Sequence, residues 1–194
     1  MKPMHKSVAV LLLAVVCATA VLTAKVKIQS QGDPKFDFKT LKTWKWSATP
    51  GDVKVWVSSQ SDPAPIKKRF EPVVLQAVAN ELQKRGFTDA GAGTPDFFVT
   101  YWMLITAQMT SQEMGQFLPS VAYWGIPPFA PQTTSFSVYP EGAFVLDVTS
   151  RATQNVVWRG LAQARIDLDN SDKKREENLR DAIGDLLEKF PPKK

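Results

Sequence analysis

Asp96-Phe97-Phe98-Val99-Thr100-Tyr101-Trp102-Met103-Leu104-Ile105-Thr106 is the stretch that decides the fold. Its aromatic and β-branched side chains suit a pleated surface, and the run follows a loop that ends at Pro95. That combination reads as a strand in the middle of a sheet. Before it, Ile66, Phe70, Val73, Val74, Ala77, Val78 and Leu82 fall on one stripe at helical spacing, and Gly86 is placed to end the helix. Pro72 puts the regular part of that helix from about Glu71 onward, because proline suits a first turn and not an interior.

Downstream, Ala143-Phe144-Val145-Leu146-Asp147-Val148 and the run Val156 to Ile166 flank a polar turn, Thr149 to Asn155, which is a hairpin signal. Leu179, Ala182, Ile183, Leu186, Leu187 and Phe190 mark a second amphipathic helix from about Lys173 to Lys189, stopped by Pro191-Pro192. Upstream, Lys25 to Ser30 alternates polar and apolar, and Thr43 to Trp46 is strongly strand-prone with Trp44 and Trp46 on one face. Thr49-Pro50-Gly51-Asp52 is turn chemistry, Val53, Val55 and Val57 suggest a separate short strand, and Ser58 to Pro65 reads as a linker.

Two helical stripes need a surface to bury against, and the strands need a covered face. The economical arrangement is an α+β two-layer sandwich: a mostly antiparallel sheet of about five or six strands with both helices packed on one face.

The N-terminus carries Lys2 and Lys6, then an uncharged apolar run from Val8 to Leu22, then the small residues of Leu22-Thr23-Ala24. This is the order of a secretory signal, with cleavage after Ala24 and Ala20 as the alternative site. The expected domains are therefore a signal peptide at 1–24 and a single α+β domain at 25–194 with a loop insertion at about 108–135. Cys17 lies where a bacterial lipoprotein carries its lipidated residue, so lipidation there is the second reading, although Val16 is larger than such a processing site prefers. An uncleaved anchor is the third.

Removing residues 1–24 takes two of the 24 basic residues and leaves 22 against 19 acidic ones, a net charge of +3. That is too small to imply a nucleic-acid partner. The remainder holds neither histidine nor cysteine, which excludes Ser-His-Asp and Cys-His nucleophiles, imidazole and thiolate metal sites, and disulfides. No metal and no cofactor is expected. Carboxylates stay open: Asp96, Asp147 and Glu141 with Arg159 would make an acid/base cluster, against the plainer reading of Asp96 as a strand-start residue and Asp147 as the partner of Arg159 across the hairpin. Trp44, Trp46 and Trp158 would make a stacking platform, against the plainer reading as core.

Residues 109–135 break the pattern with Gly115, Gly125, Pro119, Pro127, Pro128 and Pro131 interleaved with aromatics. Met114, Phe117, Tyr123, Trp124, Pro127, Pro128 and Phe129 are the partner-binding candidates, because exposed aromatics in a proline-stiffened loop suit contact with an envelope protein or a membrane surface. The equal alternative is a loop whose aromatics fold back over the open face of the sheet. Lys67-Lys68-Arg69 and Lys189 with Lys193-Lys194 are short basic clusters that read as solvated surface rather than lipid contacts.

The order and spacing of several pieces together resemble one family. They are Asp33-Pro34 before Asp37-Phe38-Lys39-Thr40-Leu41-Lys42-Thr43-Trp44-Lys45-Trp46, then Leu82-Gln83-Lys84-Arg85-Gly86-Phe87, Pro95 to Tyr101, Gly142 to Val148, Val157-Trp158-Arg159-Gly160-Leu161-Ala162, and Phe190-Pro191-Pro192. Over residues 25–194 the chain is similar to the bacterial envelope family known as domain of unknown function 4136. The resemblance implies an exported domain, often a lipoprotein, and brings no activity and no catalytic residues. The resulting expectation is a non-enzymatic binding or assembly module in the periplasm or at a membrane surface. The rivals are a carboxylate-dependent envelope hydrolase and a lipid-anchored protein with a structural or stress role.

Overall fold

The structure, a computed structural model, describes residues 26–56, 62–106, 141–167 and 169–192. The signal segment with Cys17, the connection carrying Met114 to Phe129, and Lys193-Lys194 lie outside the described residues.

The decisive stretch is strand β4 (Phe97–Thr106), and it sits inside the sheet as its composition requires. The other strands are β1 (Lys27–Gly32), β2 (Thr43–Trp56), β3 (Thr88–Asp89), β5 (Glu141–Ser150) and β6 (Val156–Arg165). They form one six-stranded sheet in the order β1-β6-β5-β4-β2-β3. The pairs β1 with β6, β6 with β5 and β5 with β4 are antiparallel, whereas β2 runs parallel to β4 and to β3. The parallel step follows from the helix between β2 and β4, since a crossover returns the chain in the same direction.

Helix α1 (Ala64–Lys84) and helix α2 (Asp172–Leu187) contact each other and lie on one side of the sheet, giving the expected two-layer α+β sandwich. The first helix starts a full two turns earlier than Pro72 suggests. Pro63 and Pro65 occupy the helix start, where a missing N–H leaves no bond unmade, and Asp62 accepts from the Ala64 amide at 2.9 Å. Pro72 is tolerated inside because Val73, Val74, Ala77, Val78 and Leu82 hold the next turns on the sheet. The helix closes with Gly86 at φ +85°, its amide donating to Gln83 and that of Phe87 to Leu82, so glycine is needed at this left-handed position. Ser171 caps α2 by accepting from the Lys174 amide.

A second difference concerns β2. Thr49-Pro50-Gly51-Asp52 does not divide two strands; it is an irregularity within one, because the pairing with β4 jumps from Trp46 opposite Val99 to Gly51 opposite Tyr101. Ser47 steadies the bulge through bonds to the Thr100 hydroxyl at 2.6 Å and to the Thr49 carbonyl at 2.9 Å. A Cβ on Gly51 would fall 2.3 Å from the Tyr101 ring and 2.4 Å from its carbonyl oxygen, so only glycine allows this approach. A short 3-10 turn at Phe38–Thr40 precedes β2, stapled by Asp37, whose carboxylate accepts from the Lys39 amide.

The core between helices and sheet holds Trp44, Phe97, Val99, Tyr101, Phe144, Leu146, Trp158, Ile183 and Leu186. Phe190, just past α2, meets the rings of Phe38, Phe87, Phe97 and Trp158, with centroids 5.1 to 6.2 Å apart. Burying a side chain of that size stabilises by roughly 2–3 kcal/mol, which ties the C-terminal end to the sheet.

Candidate functional site

The carboxylates singled out by composition do not converge. Asp96 precedes β4 and its Oδ2 accepts from the Lys42 amide at 2.9 Å, the Thr43 amide at 2.8 Å and the Thr43 hydroxyl at 3.0 Å. Those bonds, the Thr43 amide foremost, hold its carboxyl below the usual aspartate value. Asp147 on β5 faces Arg159 on β6, which donates Nε to Oδ1 at 2.6 Å and Nη2 to Oδ2 at 2.7 Å, while Trp102 Nε1 approaches Oδ2 at 3.3 Å. Glu141 sits at the opposite end of β5, about 20 Å from Asp147 by strand rise, far beyond any two-carboxylate mechanism. The pairing expected across the hairpin is therefore present, and the acid/base cluster is not assembled.

The tryptophans form no platform either. Trp44 and Trp158 are buried under the helices on strands three places apart, about 14 Å, and only Trp46, half-buried, stands edge-on to Trp44 at 5.7 Å. In the basic cluster, Lys67 donates to the Gly51 carbonyl at 2.9 Å and Arg69 pairs with Asp172 and Glu176. These are ties between elements. Tyr101, unforeseen in the sequence, donates its hydroxyl to Glu71 at 2.9 Å, and burial, then that bond, raises its phenol well above the ordinary value. Among the described residues no group of three or more metal-ligating side chains occurs, and no helix is long and apolar enough to cross a membrane.

What the geometry does assemble lies on the sheet face away from the helices. Strand alternation puts Trp102, Leu104, Ala143, Val145 and Leu161 there as a second apolar cluster. Lys27, Gln29, Gln163, Asp52 and Lys54 flank it in register, and the Asp147–Arg159 pair closes one end. The signal for this cluster was legible: β4 and β5 are apolar at consecutive positions rather than alternate ones, the mark of strands covered on both faces. At the other end of the cluster Thr106 and Glu141 are register partners, and the chain between them, residues 107–140, carries all seven partner-binding candidates.

Residues 28–192 match the family model described as domain of unknown function (DUF4136). No curated protein matches the chain in sequence. A PDZ domain protein from Parabacteroides distasonis has a similar crystal structure, with TM-score 0.53 and 16% identity over 90% of this chain. The chain spans 38% of that protein, and at this identity the likeness is one of fold alone. The PelC dodecamer from Paraburkholderia phytofirmans is similar over 88% of this chain and 100% of its own, at TM-score 0.44 and 9% identity, and carries no further argument.

Proposed function

The chain belongs to the DUF4136 family, and from that premise we propose that it is a non-enzymatic binding or assembly module of the bacterial cell envelope, exported by residues 1–24 and acting in the periplasm or at a membrane surface. One observation carries the reading. Strands β4 and β5 are antiparallel neighbours that a two-residue turn would join, yet 34 residues, 107–140, connect them. Topology has no need of that length. A long connection mounted on two rigid adjacent strands, rich in Phe, Tyr, Trp, Met and Pro, is suited to recognition. Met114, Phe117, Tyr123, Trp124, Pro127, Pro128 and Phe129 are the proposed contact residues, with an envelope protein as partner.

Asp96 and Asp147 are both taken up by hydrogen bonds that fasten one strand to the next, which supports binding over hydrolysis. The test compares two variants in a host lacking the chromosomal copy of this chain and showing an envelope defect. Phe117→Ser with Trp124→Ser and Phe129→Ser is expected to fail to restore the wild-type phenotype at normal protein level. Glu141→Gln is expected to restore it. The reverse pattern would make the chain a carboxylate enzyme.

A further inference from the structure

The two edges of the sheet differ. At one, β3 is two residues long and offers little backbone to template a further strand; at the other, β1 runs for six, Lys27–Gly32. β1 keeps register with β6 from Lys27 to Gly32 without a bulge, contains no proline and carries one charge, Lys27 at its start. Bulges, prolines and charges along the strand are what keep an edge from pairing, and β1 has only that lysine. The direction of its free groups follows from Asp33, one step past Gly32, whose amide donates to the Val157 carbonyl at 2.8 Å. Antiparallel pairs alternate, so Gln31, Gln29 and Lys27 also bond to β6, and the N–H and C=O groups of Ile28, Ser30 and Gly32 point outward. Among the described residues nothing pairs with them.

We infer that the β1 edge is a homodimer interface, at which a second copy of the chain adds its own β1 antiparallel about a two-fold axis through Ser30. In this register Ser30 meets Ser30, and Ile28 meets Gly32 of the second copy, so every outward group of the strand finds a partner and each residue pair exchanges two hydrogen bonds. An axis at Gln29 instead runs Gly32 past the start of the strand to Val26, and one at Gln31 sets Ile28 against Pro34, which has no N–H. Charge supports the same axis. It sets Gln29 against Gln31 and Lys27 against Asp33 of the second copy. Lys27 is exposed and forms no ion pair among the described residues, and Asp33 uses one carboxylate oxygen on the Lys35 amide at 2.8 Å, so opposite charges meet at both ends of the ladder. Shape supports it too. A Cβ on Gly32 would lie 2.9 Å from Pro192 Cγ and 3.1 Å from Phe38 Cζ, so half-buried Ile28 is brought against Phe38 and Pro192 of the second copy, a contact the two-fold axis repeats. A strand from another protein would leave a new edge of its own; a second copy joins two six-stranded sheets into one with the short β3 at both ends. The interface uses none of the contact residues proposed above and stands apart from the proposed function.

The test uses the full chain as purified from an exporting host. Sedimentation equilibrium at about 100 µM is expected to give twice the mass of a single chain, and a single-chain mass, with or without another protein bound, would overturn the assignment. Ser30→Pro removes an N–H that the single chain does not use, so its circular dichroism is expected to match wild type while the dimer Kd rises at least about ten-fold. A folded Ser30→Pro chain that dimerises like wild type would overturn it. Ser30→Cys decides the register even if the proline variant does not fold. It sets a cysteine on the axis, where bonded antiparallel pairs hold their Cα atoms about 5.5 Å apart, within disulfide reach. Oxidation is expected to link two copies, and mass spectrometry to find the tryptic peptide Ile28–Lys35 joined to itself, a species wild type cannot form because that peptide has no cysteine. A dimer that does not yield it would have its interface elsewhere, which overturns the inference.

Discussion

Arg159 grips Asp147 across β5 and β6 with two parallel hydrogen bonds, at 2.6 and 2.7 Å, and both side chains are removed from water. Such a pair offsets its own desolvation only while both partners are present. Asp147→Ala is therefore expected to destabilise the fold by about 3–5 kcal/mol, because it takes the compensating carboxylate away from a buried guanidinium. The double variant Asp147→Leu with Arg159→Met is expected to recover most of that loss. Urea unfolding of the three proteins measures it, and a single variant as stable as wild type would show that the pair is not closed.

Gly51 and Tyr101 set a second expectation. An added methyl at position 51 meets a ring that can rotate and a carbonyl oxygen that cannot, at 2.4 Å. Gly51→Ala is expected to cost about 1–3 kcal/mol by forcing the β2 bulge away from β4. Thermal unfolding monitored by near-ultraviolet circular dichroism reads the loss.

Acid stability should report Asp96. Its carboxyl titrates below the ordinary value of 3.8 because two amides and a hydroxyl hold the charged form. A depressed folded value means that the contribution is fully present above the unfolded value and disappears as pH falls through the folded one. Between about pH 5 and pH 2 the wild-type stability is expected to fall more steeply than that of Asp96→Asn, with Asp96→Asn less stable at neutral pH. Parallel curves would remove Asp96 from the account of how β2 is fastened to β4.

Tyr101 gives the complementary alkaline limb. Burial and the bond to Glu71 raise its phenol, so its contribution is present below the ordinary value of 10.0 and is lost as pH rises toward its folded value. The difference between wild type and Tyr101→Phe in phenolate absorbance is expected to be absent at pH 11 while the chain is folded and to appear on unfolding.

Much of this architecture was legible in the sequence because hydrophobic periodicity reports which elements face a core. Val74, Val78 and Leu82 announced α1, Ile183 and Leu186 announced α2, and the run from Phe97 to Thr106 announced a central strand. The early start of α1 was hidden because Pro72 looks like a boundary, and only the packing of Val73 to Leu82 on the sheet overrides it. The continuity of β2 was hidden because Pro50-Gly51 has the chemistry of a turn, whereas a bulge beside a large ring needs the same residues. The pairing of Asp147 with Arg159 could be read from hairpin register. The second apolar cluster could have been read from Trp102, Leu104, Val145 and Leu161, whose positions alternate with core residues, but its place in the molecule depends on both helices choosing the other face.

The most direct measurement of the central claim is photo-crosslinking in an exporting bacterial host, with benzoylphenylalanine placed in turn at Met114, Phe117, Tyr123, Trp124 and Phe129. The expected result is that at least one position forms a discrete adduct with an envelope protein, that the same partner is absent when the probe replaces Lys68 on the exposed side of α1, and that the adduct fractionates with the envelope. Five positions that yield adducts only within the chain itself, or none, would contradict the assignment of this connection as a partner-binding surface.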